Sequence, residues 1–591
     1  MDIAKNKTFI FGLSLVVLFF VFTAIITYPL ITNLTKGVLG PPPLEDHRIY
    51  LWEIDHFGKS IFFDFKNPLV AEDIFYPRGL HFQDMNFTLS AIIVSPLGYF
   101  LKNPTIAYNI WIFIGYVLSG IFAFLLANHL TRNKFASLLA SLIFTFSPYH
   151  YQVVYNGELE LSGIFWIPCL LYFFLLFLEK KSLRYAIFTS LIFSLTALSS
   201  GYYGVFSIIT IAVFALLYFL FKKEEFIKWK NIGSKRAVKI LFFLAILALI
   251  ILTPFYLALY RSDRIITESG YNTFLNSFKY EMDGGVADII DYITPLPFYY
   301  KDLGFGYRNW NVWPANSYYI SFLLLPALLI YMLKKNKKKI EKIIFFSFLT
   351  LAILSMGSSL RYDHALVKPF GLGYIPLPGS ILHLIPVVGD ARVIIRLGIF
   401  VNLFASLLIG LMFLPIFSDK FGKRTKLFFL SSLVIFFFIE TYSYVIPSSL
   451  KPSTAPAVYE TIAKMKGDFS IIEYPIRIAC NYPFNEEELF YQTFHGKKTV
   501  FGFAPFRSKS LEEHLGKFGA FSQDKENFKI DRDYLKAAKV KYILINRQKI
   551  NGLFPDKKEA AYEKIMDEIK SIPGVSFQQN IEGIDLYEIK K

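Results

Sequence analysis

Four consecutive ionisable residues stand in the segment GPPPLEDHRIYLW at 40–52, just after the first apolar stretch. They are Glu45, Asp46, His47 and Arg48. A carboxylate in such a loop can act as a general base, bind a metal ion or simply be solvated. The aromatic residue Trp52 follows within two helical turns. This cluster is the first candidate for acid–base chemistry.

Two further carboxylates, Glu158 and Glu160, lie in the segment GELELSGIFWIP at 157–168. Two acidic residues in one turn are common, so their spacing alone is not a metal signature. The two cysteines of the chain, Cys169 and Cys480, cannot build a cysteine-based metal site or a disulfide framework. Phosphate-binding-loop, zincin and serine-hydrolase motifs are absent from the sequence.

Two arginines, Arg392 and Arg396, stand four residues apart where an apolar run begins, so a helix would place them on one face. Arginines entering a membrane usually face a cavity or a partner, and a guanidinium binds phosphate with forked geometry. The alternative is that they reach outward to lipid phosphates. Arg308 is another candidate cation, and its neighbour Trp310 could belong to an interfacial aromatic belt.

The elements that must position these residues are apolar. The chain has 591 residues, of which 54% are hydrophobic and only 18% are charged, and a soluble protein of this composition could not cover its surface. Residues 1–450 carry 39 Lys/Arg against 26 Asp/Glu, mostly in short loops between apolar runs. This distribution of the +16 net charge is a topology signal rather than a nucleic-acid surface, so we expect no nucleic-acid partner.

We therefore predict an α-helical polytopic membrane protein with about eleven spans. The predicted spans are 10–31, 105–128, 135–150, 160–178, 185–200, 202–221, 237–260, 317–333, 343–357, 393–417 and 427–446. The basic loops predict a plasma-membrane protein with a cytoplasmic N-terminus and with 32–104, 261–316 and 358–392 as outer loops. Residues 87–101 contain Pro96 and are interpreted as an interfacial helix.

The composition changes beyond residue 446. We predict a transmembrane domain over 1–446, a linker over 447–456 and a small extracytoplasmic α/β domain over 457–591. Strands are expected at 470–476, 541–547 and 583–589, and helices at 457–466, 531–539 and 558–571.

A cytoplasmic N-terminus, a first span and a long outer loop with an early acidic residue resemble the GT-C glycosyltransferases, membrane enzymes that use polyprenyl-phosphate sugars. The chain is most similar to poorly characterised bacterial and archaeal members. The loop residues that match are Asp46, Trp52, Asn67, Pro68, Tyr76, Pro77 and Gly79. Later matches are AYN at 107–109, FSPY at 146–149, GELELSGIFWIP, ADIIDYITP at 287–295 and the arginines of RVIIR at 392–396. Glu45 replaces the usual glycine before Asp46, and Glu158 stands where relatives often have histidine.

The resemblance implies an inverting transfer in the cell envelope, from a polyprenyl-phosphate sugar to a hydroxyl of a glycan, lipid or protein acceptor. Asp46 would be the catalytic base, and His47 would tune it or help to hold the leaving phosphate. Glu158 and Glu160 would approach the substrate or a divalent metal, although no cofactor is certain. The remaining implied roles are donor phosphate binding by Arg392, Arg396 and Arg308, and substrate binding by Trp52 and Trp310.

Two other classes of function compete with this interpretation. A lipid or polysaccharide transporter would need ionisable residues within the spans and symmetric halves, whereas Glu440 is an exceptional acidic residue in a span and no internal repeat is visible. A non-catalytic membrane scaffold would bind a partner through its outer domain. Mutation of Asp46 separates an enzyme from both alternatives.

Overall fold

The fold is described from a computed structural model, which covers most of the chain. The described residues are 2–40, 46–81, 88–231, 286–288, 291–292, 318–362, 365–369, 373–384, 394–441, 450–479, 482–483, 486–504, 509–522, 529–553 and 558–590. They form two compact units. The helical unit contains the described residues of 1–32, 111–252 and 268–449, and the mixed unit contains those of 33–110 and 450–591.

The helical unit is built from apolar helices joined by short loops. Its helices are α1 (Asp2–Ile26), the greater part of α4 (Pro104–Thr131), α5 (Lys134–Thr145), α6 (Pro148–Tyr155), α7 (Leu159–Ser162), α8 (Trp166–Lys180), α9 (Leu183–Ser199), α10 (Gly201–Phe221), α11 (Lys223–Asn231), α12 (Leu324–Leu333), α13 (Lys339–Ser355), α14 (Gly398–Met412) and α15 (Lys423–Thr441). A short hairpin pairs β4 (Arg361–Tyr362) with β5 (Ala365–Leu366). Each predicted span within the described residues contains a helix, and the predicted span 237–260 lies outside them.

Five helical segments among the described residues are long and apolar enough to cross a membrane. They are Phe9–Ile26, Pro104–Thr131, Leu159–Lys180, Gly201–Phe221 and Ile394–Met412. The last begins with a 3₁₀ turn, Ile394–Leu397, and continues as α14, in which every residue is buried. Helices α5, α12 and α13 pack around α14, which makes it the centre of this unit.

Two predicted spans are divided by local chain chemistry. In the stretch 135–150, α5 ends at Thr145 and α6 begins with Pro148 at its first turn, because proline cannot continue the preceding helix but is accepted at a helix start. In the stretch 160–178, residues 163–165 separate the single turn α7 from α8. These breaks bring loops and helix ends, rather than a helix interior, to the segment that carries Glu158 and Glu160.

The mixed unit contains a helical hairpin of α2 (Asp46–Phe62) and α3 (Leu89–Phe100). The two helices pack closely at Gly98, where an added Cβ would lie 2.7 Å from the Ile54 side chain. Between them, β2 (Val70–Ala71) pairs antiparallel with β3 (Leu80–His81). This hairpin carries Asp46 at its first helical residue.

The rest of the mixed unit is an α/β fold. Its five-stranded sheet has the order β10 (Lys498–Thr499), β7 (Ser470–Tyr474), β12 (Val540–Asn546), β14 (Ile584–Ile589) and β13 (Val575–Ile581). Strand β7 runs parallel to both β10 and β12, and β14 runs antiparallel to β12 and β13. The helices are α16 (Ala457–Lys464), α17 (Glu486–His495), α18 (Lys509–Lys517), α19 (Arg532–Ala537), α20 (Arg547–Leu553) and α21 (Lys558–Lys570). The predicted strands and helices of this region correspond to β7, β12, β14, α16, α19 and α21.

Backbone pairing joins the first loop to this α/β fold. Strand β1 (Gly37–Leu39) pairs antiparallel with β6 (Leu450–Pro452), which lies in the stretch predicted as a linker. Thr499 of β10 donates its N–H to the carbonyl of Asp73 at 2.8 Å and accepts from Tyr76 N at 2.9 Å. The segment 73–76 thus covers the edge strand of the sheet. A second, three-stranded sheet has the order β11 (Phe521–Ser522), β8 (Arg477–Ala479) and β9 (Tyr482–Pro483).

Candidate active site

Asp46 is the first residue of α2 and is partly exposed. A carboxylate in the first turn is favoured by the unpaired N–H groups and the positive end of the helix dipole. Asp46 lies close enough to the buried Tyr108 phenol to interact with it electrostatically. The predicted base is therefore at a helix start, within electrostatic range of a phenol of the same unit.

His47 fixes the beginning of α2. Its side chain is buried, and its Nε2 lies 2.6 Å from the carbonyl oxygen of Leu39 on β1. A carbonyl oxygen can only accept, so Nε2 donates this hydrogen bond. The His47 ring also lies 6.0 Å from the Tyr108 ring. His47 therefore connects the residue after the predicted base to the β1–β6 pair.

Trp52 lies in the packing contact between α2 and α17. Its indole N–H donates to Gln492 Oε1 at 3.0 Å, and its ring stacks on His56 at 5.0 Å between centroids. The residue is only 3% exposed. Trp52 was predicted to contact substrate, and the structure places it where it joins two helices.

In the helical unit, Arg396 and Glu158 form a buried ion pair. Arg396 Nη2 donates to Glu158 Oε1 at 3.0 Å, and the two side chains are 9% and 13% exposed. The Arg396 guanidinium also lies over the Tyr202 ring, 4.3 Å from its centroid. Sequence analysis assigned Arg396 and Glu158 to different roles, and the structure brings them together across 238 residues.

The local backbone conformation positions each member of the Arg396–Glu158 pair. Arg396 lies in the 3₁₀ turn Ile394–Leu397 before α14, and Arg392, its predicted neighbour on one helical face, lies outside the described residues. Gly398, the first residue after this turn, leaves room for the Tyr318 ring. A Cβ added at Gly398 would lie 2.1 Å from the nearest atom of that ring. On the other side, Gly157 has φ 82, a conformation that favours glycine, and turns the chain between α6 and Glu158.

The electrostatics of the pair depend on burial. Burial raises the pKa of Glu158, the Arg396 guanidinium opposes this shift, and the nearby Glu160 carboxylate adds to it. Glu160 lies in the first turn of α7 and interacts electrostatically with Arg396 as well. The three residues thus form one charge cluster, in which a single cation faces two carboxylates.

The tyrosines around this cluster were not predicted from the sequence. The hydroxyls of Tyr149 and Tyr203 lie 3.1 Å apart, and Tyr203 donates to the carbonyl of Leu161 at 2.6 Å. The Tyr318 ring lies 5.2 Å from that of Tyr149. The signals for these residues were the FSPY segment, which contains Tyr149, and the paired tyrosines at the start of α10, of which Tyr202 contacts Arg396.

Comparisons with known proteins give one family model and several solved structures. The family model is described as a domain of unknown function, DUF6311, and matches residues 58–291. No curated protein matches the sequence.

Three solved structures resemble the chain over nearly its whole length. The archaeal oligosaccharyltransferase AglB from Archaeoglobus fulgidus is 14% identical, with a TM-score of 0.46, and the match covers 98% of this chain and 74% of that one. The arabinofuranosyltransferase AftD from Mycobacteria is 12% identical, with a TM-score of 0.49, and the match covers 98% of this chain and 40% of that one. ArnT from Cupriavidus metallidurans, solved with undecaprenyl phosphate, is 8% identical, with a TM-score of 0.47 and coverages of 97% and 98%.

Four candidate residues of the sequence analysis lie outside the described residues. They are Glu45, Arg308, Trp310 and Arg392. Within the described residues, no group of three or more His, Cys, Asp or Glu side chains is arranged to hold a metal ion. The charge cluster of Glu158, Glu160 and Arg396 contributes two carboxylates, and one of these already accepts from the arginine.

Proposed function

We propose that the chain is a membrane glycosyltransferase that moves a sugar, with inversion, from a polyprenyl-phosphate donor to an acceptor hydroxyl. The observation that carries this proposal is the buried Arg396 beside Glu158 and Tyr202, at the start of a segment apolar enough to cross a membrane. A buried arginine at such a place is costly, and ionisable residues within membrane-spanning regions often mark a substrate or ion pathway. The ordered motifs that resemble GT-C enzymes support a lipid-linked phosphate as the anion.

The cation site accounts for the leaving group. A guanidinium can bind two phosphate oxygens in a forked arrangement and stabilise the negative charge that develops as the phosphate departs. In the absence of donor, Glu158 neutralises Arg396, which lowers the cost of burying the cation. Glu160 adds negative charge nearby and favours a site that holds its cation firmly.

Asp46 is the base that activates the acceptor hydroxyl, which is the nucleophile. The acceptor hydroxyl gives its proton to the Asp46 carboxylate while its oxygen forms a bond to the anomeric carbon of the sugar. The bond between that carbon and the phosphate oxygen breaks, and the phosphate leaves with the electron pair. Attack from the face opposite the leaving group inverts the anomeric carbon. His47 holds the start of α2 through Leu39 and so supports the base.

The proposed setting is the outer face of the plasma membrane. The basic loops favour a cytoplasmic N-terminus, with the first loop and residues 450–591 outside. The acceptor is a hydroxyl of a glycan, a lipid or a protein, and the bilayer holds the polyprenyl tail of the donor.

Purified protein in lipid nanodiscs, given a panel of polyprenyl-phosphate sugars with acceptor glycans, tests the function. We expect release of polyprenyl phosphate with at least one donor, and Asp46→Asn should lower that release at least about 100-fold while donor remains bound. A transporter would move a lipid-linked sugar across a bilayer equally well with Asn at position 46. A chain that neither binds nor consumes any donor in the panel contradicts the proposal.

A further inference from the structure

Two side-chain contacts join α2 to α17 of the α/β fold. Arg48 forms an ion pair with Glu487, and Trp52 donates to Gln492. Arg48 and Trp52 stand one helical turn apart, about 6 Å along the axis of α2. Two contacts at separate heights fix both the rotation and the translation of one helix against another. The first contact lies two residues after Asp46.

Lys549 holds the α17 side of the first contact. Its ammonium group lies 2.8 Å from Glu487 Oε2 and also pairs with Glu488. Burial raises the pKa of Glu487, but Lys549 and Arg48 outweigh this effect and lower it, so the carboxylate stays ionised near neutral pH. Glu487 thus accepts from two cations, one on α2 and one on α20, which follows β12.

The exposures of these groups indicate that the network is more than a surface ion pair. The side chains of Arg48, Glu487 and Lys549 are 16%, 29% and 24% exposed, and that of Glu488 is 3% exposed. An exposed pair contributes little to structure, whereas a partly buried and multiply paired carboxylate has a restricted position. Glu487 therefore transmits the position of the sheet to the first turn of α2.

We infer that the C-terminal α/β fold positions the catalytic helix, with Glu487 as the positioning residue for Asp46. This inference rests on the proposed function, because it assigns Asp46 the role of base. It gives residues 450–591 a part in the chemical step that is independent of acceptor binding. Glu487 itself touches no reacting atom in this scheme and acts through Arg48.

The variants Glu487→Gln, Arg48→Gln and their double mutant test the inference in the full-length protein. Asp468→Asn is the matched control, because it removes a carboxylate that pairs with two cations, Lys498 and Lys539. Asp468 lies just before the first residue of β7. Turnover and donor KM are measured with a polyprenyl-phosphate sugar. Amide hydrogen exchange of residues 46–62 is measured in parallel and reports the docking of α2 without any substrate.

We expect Glu487→Gln and Arg48→Gln each to lower kcat about 10- to 100-fold, since a small misplacement of a catalytic group has effects of this size. Donor KM should change little and exchange of α2 should accelerate. The double mutant should be no worse than Glu487→Gln alone, because Arg48→Gln removes a contact that Glu487→Gln has already broken. Glu487→Asp should recover part of the lost kcat. Asp468→Asn should match wild type in both measurements.

Wild-type kcat and wild-type exchange of α2 in Glu487→Gln would overturn the inference. Equal losses in Glu487→Gln and Asp468→Asn would also overturn it, because they would indicate general destabilisation. If wild type consumes no donor, the proposed function fails, and accelerated exchange of α2 in Glu487→Gln then supports the docking alone.

Discussion

At the scale of single residues, the candidate base is defined by where the helix begins. Asp46 starts α2, and His47 and Arg48 hold the same turn to β1 and α17. The residue types of this cluster were visible in the sequence, and the chemistry of each follows from its type. Their division of labour was not visible, because it depends on contacts with Leu39 and with Glu487, which is 439 residues from Arg48.

The substitution Asp46→Asn should lower turnover at least about 100-fold, because it keeps size and hydrogen bonding but removes the proton acceptor. Donor affinity, measured by equilibrium binding of a polyprenyl-phosphate sugar, should change little. Glu45→Gln serves as the adjacent control and should be milder. A larger loss from Glu45→Gln would assign the base to the preceding residue.

Replacement of Arg396 tests the phosphate site. Arg396→Lys keeps the charge but loses the planar fork, so we expect a substantial fall in kcat/KM, and Arg396→Ala should cost about 2–4 kcal/mol of transition-state stabilisation. Because Ala would leave Glu158 buried without its cation, the double variant Arg396→Ala/Glu158→Gln separates lost binding from misfolding. Arg184→Lys, at an exposed position on α9, should be neutral. Equal kcat/KM for Lys, Ala and Arg at position 396 would reduce Arg396 to a structural cation.

The pKa of Glu158 predicts a pH dependence of donor binding. Its pKa is raised by burial, so the carboxyl takes up a proton as pH falls towards that value, and protonation weakens its hold on Arg396. A sugar phosphodiester keeps its charge over this range, so its affinity should increase as pH is lowered. Binding isotherms should show that Glu158→Gln binds donor more tightly than wild type does. Its donor affinity should also change less over the same pH series. An unchanged slope in Glu158→Gln would assign the titration to another group.

At the scale of elements, local patterns predicted helices and strands well and pairings poorly. Strands β7, β12 and β14 follow apolar runs with clear turns, and period and composition are sufficient to locate such elements. The β1–β6 pair leaves no local signal, because each strand has only three residues and its partner lies over 400 residues away. The ion pair of Arg396 with Glu158 was not predicted, because its two members also lie far apart in the chain. Tyr202 was not predicted, because interfacial tyrosines resemble ordinary membrane aromatics.

The end of β7 carries a buried carboxyl whose titration should affect stability. Burial raises the pKa of Glu473 to about 8 from an ordinary value of 4.5, Glu488 adds to the shift, and the Tyr459 hydroxyl donates to the Glu473 carboxyl. The folded state therefore holds a proton that the unfolded chain releases, so the stability contributed by this group is lost as pH rises from 4.5 to about 8. The urea midpoint from pulse proteolysis of the full-length protein should decline over this window.

Glu473→Gln should flatten that decline, because an amide does not titrate. Glu460→Gln changes an exposed residue on α16 and serves as the control. Its urea midpoint should decline with pH as steeply as that of wild type. A decline of equal steepness in Glu473→Gln would place the titrating group elsewhere in the fold.

At the scale of the whole molecule, the mixed unit is assembled from two distant stretches of chain. Residues 33–110 and 450–591 share strand pairing, helix packing and ion pairs, and most of the helical unit is encoded between them. The composition of the sequence predicted the apolar region and the α/β region separately. It could not predict that the first loop packs with the α/β region, because contacts of that range have no periodic signature.

Membrane orientation gives a prediction for the whole chain. The basic loops predict that residues 450–591 face outward and that the loop at 334–339 faces the cytoplasm. Protease added to intact spheroplasts should remove epitopes in 450–591 and leave an epitope at 334–339 intact until the cells are lysed. Cleavage at 334–339 in intact spheroplasts, with 450–591 protected, would reverse the orientation and move the proposed reaction to the cytoplasmic face.

The pairing of β1 with β6 and of Arg48 with Glu487 also determines when α2 can dock during synthesis of the chain. A ribosome adds about 5–20 residues per second, so the 439 residues between Arg48 and Glu487 take roughly 20–90 s to synthesise. During that interval α2 has left the ribosome without its docking surface, while helices of the membrane region are already being inserted. A nascent chain interrupted before residue 450 would be anchored yet lack the surface on which α2 docks, so membrane insertion and the docking of this helix are separate events in the life of this protein.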